Sequence, residues 1–252
     1  MIPIQILRVL STIRQYDVPA LLMGGQACVL YGAAEYSRDL DLAVLATTDA
    51  LPRLTAAMQA LRATVIAVPP FELQFLSRGH VVHFSVPDEV GTPLRVDIMS
   101  RMRGVAPFDA LWERRTSITL PDDARSTDVT VEVMALEDLV TAKKTQRDKD
   151  WPMLRRLVDA SYDSARDGDA SAEQVTFWLA ELRSPEFLRE AISRFPLDAV
   201  RSTRPAVVAS MAGGDVGDAL ASEQSTEMAA DRAYWEPLRR ELESLRHAAR
   251  RA

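Results

Sequence analysis

The chain has 252 residues, 47% of them hydrophobic and 26% charged, with a net charge of −6 at pH 7. That balance suits one large globular domain or two modest ones and excludes wholesale disorder, while no apolar run reaches the roughly 18 residues of a membrane-spanning helix. The opening MIPIQILRVLSTIRQYD lacks a basic segment followed by an apolar one, which argues against a signal peptide. The single Cys28 excludes an internal disulfide or a Cys-rich zinc site and fits a reducing cytoplasm.

Residues 4–16 have helical spacing, with Ile6, Leu7, Leu10 and Ile13 on one stripe. A short apolar strand over 20–23 runs into Gly24-Gly25, after which 26–31 is expected to be helical and Gly32 to end it. The segment 38–45, RDLDLAVL, alternates as a strand, and 48–62 returns to helical spacing. A strand over 64–68 should stop at Pro69-Pro70. Residues 81–86 and 94–99 then predict a hairpin joined by a polar loop. A helix over 107–115, a strand over 129–134, a helix over 136–144 and a helix from about Asp150, with Asp150 as its N-cap and Pro152 in its first turn, complete a mixed α/β portion. From about Asp163 the stretch DSARDGDASAEQ is polar, and the chain beyond it has helical periodicity with no convincing strand. Residues 211–218 read as a glycine-rich loop. The last helix carries a narrow seam of Trp235, Leu238, Leu242 and Leu245, suited to packing on its own domain or to a dimer contact.

Asp39 and Asp41 lie two apart on a predicted strand, so both project from one face while Leu40 and Leu42 turn to the core. A polar strand edge would look the same. Two like charges side by side gain nothing, however, unless a cation sits between them, and hard divalent ions favour carboxylate oxygens. Asp97 in LRVDIMS faces away from Val96 and Ile98. If its strand neighbours the first, it adds a third carboxylate, an arrangement able to hold two metals about 4 Å apart for in-line phosphoryl transfer. Gly24 and Gly25 open a helix from a strand, which serves either a tight turn or close approach of backbone amides to phosphate. Ser37 could add a hydroxyl donor or cap its loop. All the lysines, Lys143, Lys144 and Lys149, lie in one short stretch beside Arg147, Asp148 and Asp150. Phosphate binding and a self-neutralising ion-pair network both fit that stretch. His80 and His83 fall in a strand-like context that points them to opposite faces, an argument against a shared metal. No Walker A loop or nucleophile elbow is present.

Taken together, LLMGGQACVLYGAAEYSRDLDLAV resembles the entry motif of the DNA polymerase β-like nucleotidyltransferase superfamily. The stretch LEDLVTAKKTQRDKDWPMLRRL is similar to one found in its minimal nucleotidyltransferase and AbiEii-type toxin branch. The resemblance spans roughly residues 20–160. It implies an α+β fold, a mixed sheet flanked by helices, with a nucleotidyltransferase domain over 1–160 and an all-helical, acceptor-selecting region over 161–252.

It further implies a reaction in which a nucleoside monophosphate passes from an NTP, such as ATP, to an acceptor hydroxyl with release of pyrophosphate. Asp39, Asp41 and Asp97 would bind two Mg²⁺ ions and act catalytically. Gly24, Gly25 and Ser37 would hold the triphosphate, and Lys143, Arg147 and Lys149 would contribute to nucleotide binding. The expected partners are the NTP and an acceptor that is a tRNA, a protein or a small molecule, with a homodimer or an antitoxin open and no membrane. Glu35 departs from the pattern, since many relatives carry Arg shortly before the hydroxyl residue. The rivals are a noncatalytic nucleotide-binding module or toxin–antitoxin partner on the same fold, and a metal-dependent phosphohydrolase.

Overall fold

The computed structural model describes residues 3–34, 36–88, 91–121 and 128–251. Glu35 lies outside them. The chain divides into two compact units, one formed by Met1–Leu30, Glu35–Leu139 and Trp235–Ala252, the other by Tyr31–Ala34 and Val140–Tyr234.

The first unit begins with helix α1, Ile4–Gln15, whose stripe Ile6, Leu7, Val9, Leu10 and Ile13 is buried. Each such side chain contributes about 1.5–3 kcal/mol on leaving water. Strand β1, Ala20–Met23, leads directly into helix α2, Gly24–Leu30, and then to strand β2, Leu40–Val44, and helix α3, Ala50–Ala60. Strand β3, Thr64–Val65, helix α4, Leu73–Arg78, and strands β4, Val82–Val86, and β5, Leu94–Met99, come next. Helix α5, Phe108–Arg114, strand β6, Thr116–Leu120, strand β7, Val129–Val133, and helix α6, Leu136–Ala142, whose residues from Val140 on belong to the second unit, complete the series. The seven strands form one sheet in the order β3-β4-β5-β2-β1-β7-β6. β2 pairs with β5, and β1 with β7, in parallel; every other pairing is antiparallel.

This is the expected mixed sheet with flanking helices, with several elements displaced. Helix α2 starts at Gly24 instead of residue 26, and the strand foreseen over 64–68 shrinks to Thr64–Val65, both exposed. Two elements were not foreseen. Helix α4 has only six residues, too few to display a period, and buries Phe75 and Leu76. Strand β6 is an edge strand whose alternation is confined to the half-buried Ile118 and Leu120, too short to announce it.

In the second unit a 3₁₀ turn at Asp148–Asp150 opens helix α7, Trp151–Ala165. Helices α8, Ala172–Glu181, α9, Pro185–Arg194, α10, Pro196–Arg201, α11, Pro205–Met211, and α12, Val216–Ala249, succeed it. The polar stretch before α8 ends in a capping box, in which Ser171 accepts from the Gln174 amide while the Gln174 side chain accepts from the Ser171 amide. The core gathers Leu154, Leu157, Val158, Val175 and Leu179 around Tyr162 and Trp178, whose rings meet edge to face at 5.2 Å. The last part of α12 belongs to the first unit. Its seam residues Trp235, Leu238, Leu242 and Leu245 are half-buried. A Cβ placed on Gly79, the left-handed residue ending α4, would lie 3.5 Å from Leu238 and 3.8 Å from Trp235. Among the described residues no helix is long and apolar enough to cross a membrane.

Candidate functional site

The centre of the sheet brings the acidic residues into one place. Across four neighbouring strands Met23 pairs with Asp41, Asp41 with Asp97, and Asp97 with His83. Leu40, Leu42, Val96 and Ile98, which alternate with these acids, are fully buried on the opposite face. Asp39 stands exposed just before β2, Asp41 is half-buried, and Asp97 is buried. The neighbouring strands anticipated for Asp41 and Asp97 are therefore found, in parallel register.

The Gly-Gly turn is fitted against this row. Gly24 has φ +65°, and a Cβ there would fall 1.8 Å from Asp41 Oδ2; at Gly25 it would fall 2.3 Å from Ser37 Oγ. No larger residue fits at either position without displacing a side chain of the row or the loop. Gln26, buried on the first turn of α2, donates from Nε2 to the Ser37 carbonyl at 2.7 Å. Ser37 Oγ in turn donates to the Asp39 carbonyl at 3.3 Å. Helix start, loop and strand entry are thus one construction, and Gln26 is a member that no sequence motif singled out.

Asp97 is engaged on both oxygens. Arg95 reaches it as a fork, Nε to Oδ1 at 2.8 Å and Nη2 to Oδ2 at 3.0 Å, and His83 Nδ1 lies 2.8 Å from Oδ1. Burial pushes the Asp97 carboxyl up, but the hydrogen bonds and charges of His83 and Arg95 outweigh it and hold the group below the usual carboxylate range. Arg95 is raised, first by its hydrogen bond to Asp97, with desolvation opposing and the charges of Asp97, Asp39 and Asp41 adding to the rise. All three acids therefore favour a cation at this spot, and the guanidinium is the cation present. Among the described residues no three His, Cys, Asp or Glu side chains form a ready metal-holding group. Of the three carboxylates expected from sequence, Asp41 and Asp97 are neighbours in the sheet, Asp39 lies exposed just outside it, and Asp97 is turned to protein partners. The strand period sets Arg95 on the face of Asp97 but does not say that it grips the carboxylate, while the role of His83 depends on hairpin register, which local periodicity leaves open. His80 is elsewhere, in the turn after α4, with Nε2 2.9 Å from Glu241.

The lysine-bearing stretch lies within the second unit. Lys143 is buried, with its ammonium 3.4 Å from Asp150 Oδ1, and Lys144 pairs with Glu181 at 2.6 Å. Arg147 and Lys149 are exposed. Asp150 does not cap α7 with its side chain, contrary to the expectation from its position. It turns back to accept from Thr145 at 2.5 Å and from Arg147 Nε at 2.7 Å. Burial raises the Asp150 carboxyl, and the charges of Lys143 and Arg147 with the Thr145 hydrogen bond bring it below its usual value. The geometry of Lys143 is that of the self-neutralising network.

No family model matches the chain, and no curated protein does. Similar solved structures include an antigenic nucleotidyltransferase-like protein from Paracoccidioides brasiliensis, 12% identical over 83% of this chain and 93% of that one, with a TM-score of 0.43. They also include the antibiotic-resistance factor ANT(2'')-Ia. Its solution structure is 11% identical over 78% of this chain and 91% of that one, with a TM-score of 0.37. Its complex with adenylyl-2''-tobramycin is 12% identical over 75% of this chain and 94% of that one, with a TM-score of 0.33.

Proposed function

We propose that this chain is a nucleotidyltransferase of the polymerase β type, moving a nucleoside monophosphate from an NTP to an acceptor hydroxyl. The observation that carries the reading is the register Met23–Asp41–Asp97 together with the fit of Gly24 against Asp41 and of Gly25 against Ser37. A glycine turn serving only to reverse the chain has no need to lie against a carboxylate row.

The donor set suits a hard divalent cation: carboxylate oxygens on one sheet face whose shared field already draws a guanidinium. Asp39 and Asp41 would hold it, with Asp97 joining. When bound, two Mg²⁺ ions would supply positive charge to the triphosphate and to the attacking oxygen. The chain's own contribution is positioning. The amides opening α2 at Gly24 and Gly25, with the Ser37 hydroxyl, cradle phosphate oxygens; Gln26 fixes the Ser37 loop; Asp97 accepts the acceptor hydroxyl's proton. The acceptor oxygen bonds to the α-phosphorus as the bond to the pyrophosphate oxygen breaks, so pyrophosphate leaves. Lys143, with its ammonium on Asp150, serves the packing of its own segment. The acceptor is a tRNA end, a protein hydroxyl or a small molecule, selected by the helices after residue 160.

A second reading is favoured by one observation. The fork of Arg95 on Asp97 would also suit a nucleotide-binding module without turnover. Incubation with NTP labelled on the α-phosphate, Mg²⁺ and a cell extract separates the two. Label carried to an acceptor supports transfer; binding without turnover supports the module. Asp41→Asn should lower transfer by about two orders of magnitude or more with an unchanged circular dichroism spectrum. Full activity in that variant would end the carboxylate mechanism.

A further inference from the structure

Arg95 is the partner of Asp97, yet its surroundings suit a second role. Its side chain is 46% exposed, while that of Asp97 is only 12% exposed, so the guanidinium is the member of the pair able to leave for solvent or a ligand. It stands on β5 two residues before Asp97, on the same face and strand as the acid it grips. Its fork matches the oxygens of a phosphate as well as those of a carboxylate. The charges of Asp39 and Asp41 reach it as well as that of Asp97, so it stands within electrostatic reach of all three acids. Asp97 also retains His83 at 2.8 Å, so departure of the guanidinium would not leave the carboxylate unpartnered.

We propose that Arg95 is a nucleotide-binding residue that exchanges partners. Without ligand it neutralises Asp97 and competes with divalent cations for that carboxylate. When the metal–triphosphate arrives it swings to a phosphate oxygen and frees Asp97 for the metal and the acceptor. The inference rests on the nucleotidyltransferase reading. It makes nucleotide and metal binding mutually supportive, because one guanidinium must quit the carboxylate for both ligands to enter.

The test uses the full chain and two ligands measured separately. Free Mn²⁺ is followed by electron paramagnetic resonance without nucleotide, and a non-hydrolysable ATP analogue is titrated calorimetrically with Mg²⁺ present. Arg95→Met should bind Mn²⁺ about two- to fivefold more tightly, the scale expected for losing a partly exposed competing ion pair. The same variant should bind the analogue about tenfold more weakly for loss of a charge-assisted phosphate contact. A merely structural Arg95 would weaken both, and unchanged Mn²⁺ affinity would remove the competition; either result overturns the exchange. Should Arg95→Met not fold, Arg95→Lys replaces it. Its single ammonium cannot grip both oxygens, so Mn²⁺ affinity should rise and analogue affinity should fall, each by less, and no change in either direction counts against the proposal. Wild-type Mn²⁺ binding that disappears in Asp41→Asn keeps the nucleotidyltransferase reading even if the exchange fails. Absence of Mn²⁺ binding in the wild type defeats both.

Discussion

Gly24 and Gly25 are adjacent, yet substitution should affect them differently. At Gly24 an added methyl meets the Asp41 carboxylate at 1.8 Å on a backbone with φ +65°, so both the space and the conformation refuse it. Gly24→Ala should cost about 1–3 kcal/mol of stability, read as a lower Tm, and abolish transfer with it. At Gly25, whose φ is not left-handed, the obstacle is Ser37, its hydroxyl at 2.3 Å and its Cβ at 2.8 Å, so the half-buried serine and its loop must shift. Gly25→Ala should therefore leave stability within about 1 kcal/mol of wild type while raising KM for the NTP, because the serine is pushed from its place. Equal loss of stability in the two variants would contradict this difference. The sequence marked both glycines as a strand-to-helix turn. It could not say which would face a carboxylate and which a hydroxyl, since that depends on β1 lying beside β2 in the register Met23 to Asp41.

At the scale of elements, the strands and helices that carry a clear period were legible. Helix α1 was read to within a residue at its end, and β1, β5 and β7 kept their expected bounds or nearly so. Elements whose apolar pattern is too short to show a period, such as β6 and α4, were not legible. The end of α12 makes the element-scale prediction. Trp235 and Leu238 cover Gly79, and on the same helix Glu241 meets Arg78 at 2.7 Å and the buried His80 at 2.9 Å. Trp235→Ala should destabilise the first unit by about 1–3 kcal/mol, less than for a fully buried aromatic because the ring is half-covered. Thermal unfolding checks it, and an unchanged Tm would show that the helix end contributes nothing to that unit.

At the scale of the molecule, each unit has among its described residues a buried carboxylate held below its ordinary range, Asp97 in the first and Asp150 in the second. A depressed folded-state pKa stabilises the fold above the unfolded value near 4 and loses that stabilisation as pH falls through the folded value. Asp159 runs the other way: burial raises it more than Ser184 and Arg155 lower it, so it favours the fold below the unfolded value and loses that advantage as pH rises. Tm should therefore fall as pH drops below about 4, and Asp97→Asn and Asp150→Asn should each flatten that fall. Asp150→Asn should also lower stability at neutral pH, by about 3 kcal/mol, because Lys143 is left buried without its counter-charge. A Tm unaffected by acid in the wild type would show that neither network stabilises the fold.

The sequence by itself determined that a mixed α/β portion precedes a helical one, the alternation that puts Leu40, Leu42, Val96 and Ile98 in the core, and the candidate acids on the other face. These come from local periodicity, and a strand's two faces are fixed once its residues are known. Only the tertiary structure decided that Asp41 and Asp97 are neighbours, that Arg95 and His83 grip the latter, that Asp150 turns to Lys143 instead of capping its helix, and that residues 235–252 cluster with the sheet. Apart from Arg95 and Asp97, which the strand period already sets on one face, each of these joins residues that neither the helical nor the strand period relates. Register, side-chain choice of partner and burial are set by packing between segments, which the local pattern does not encode.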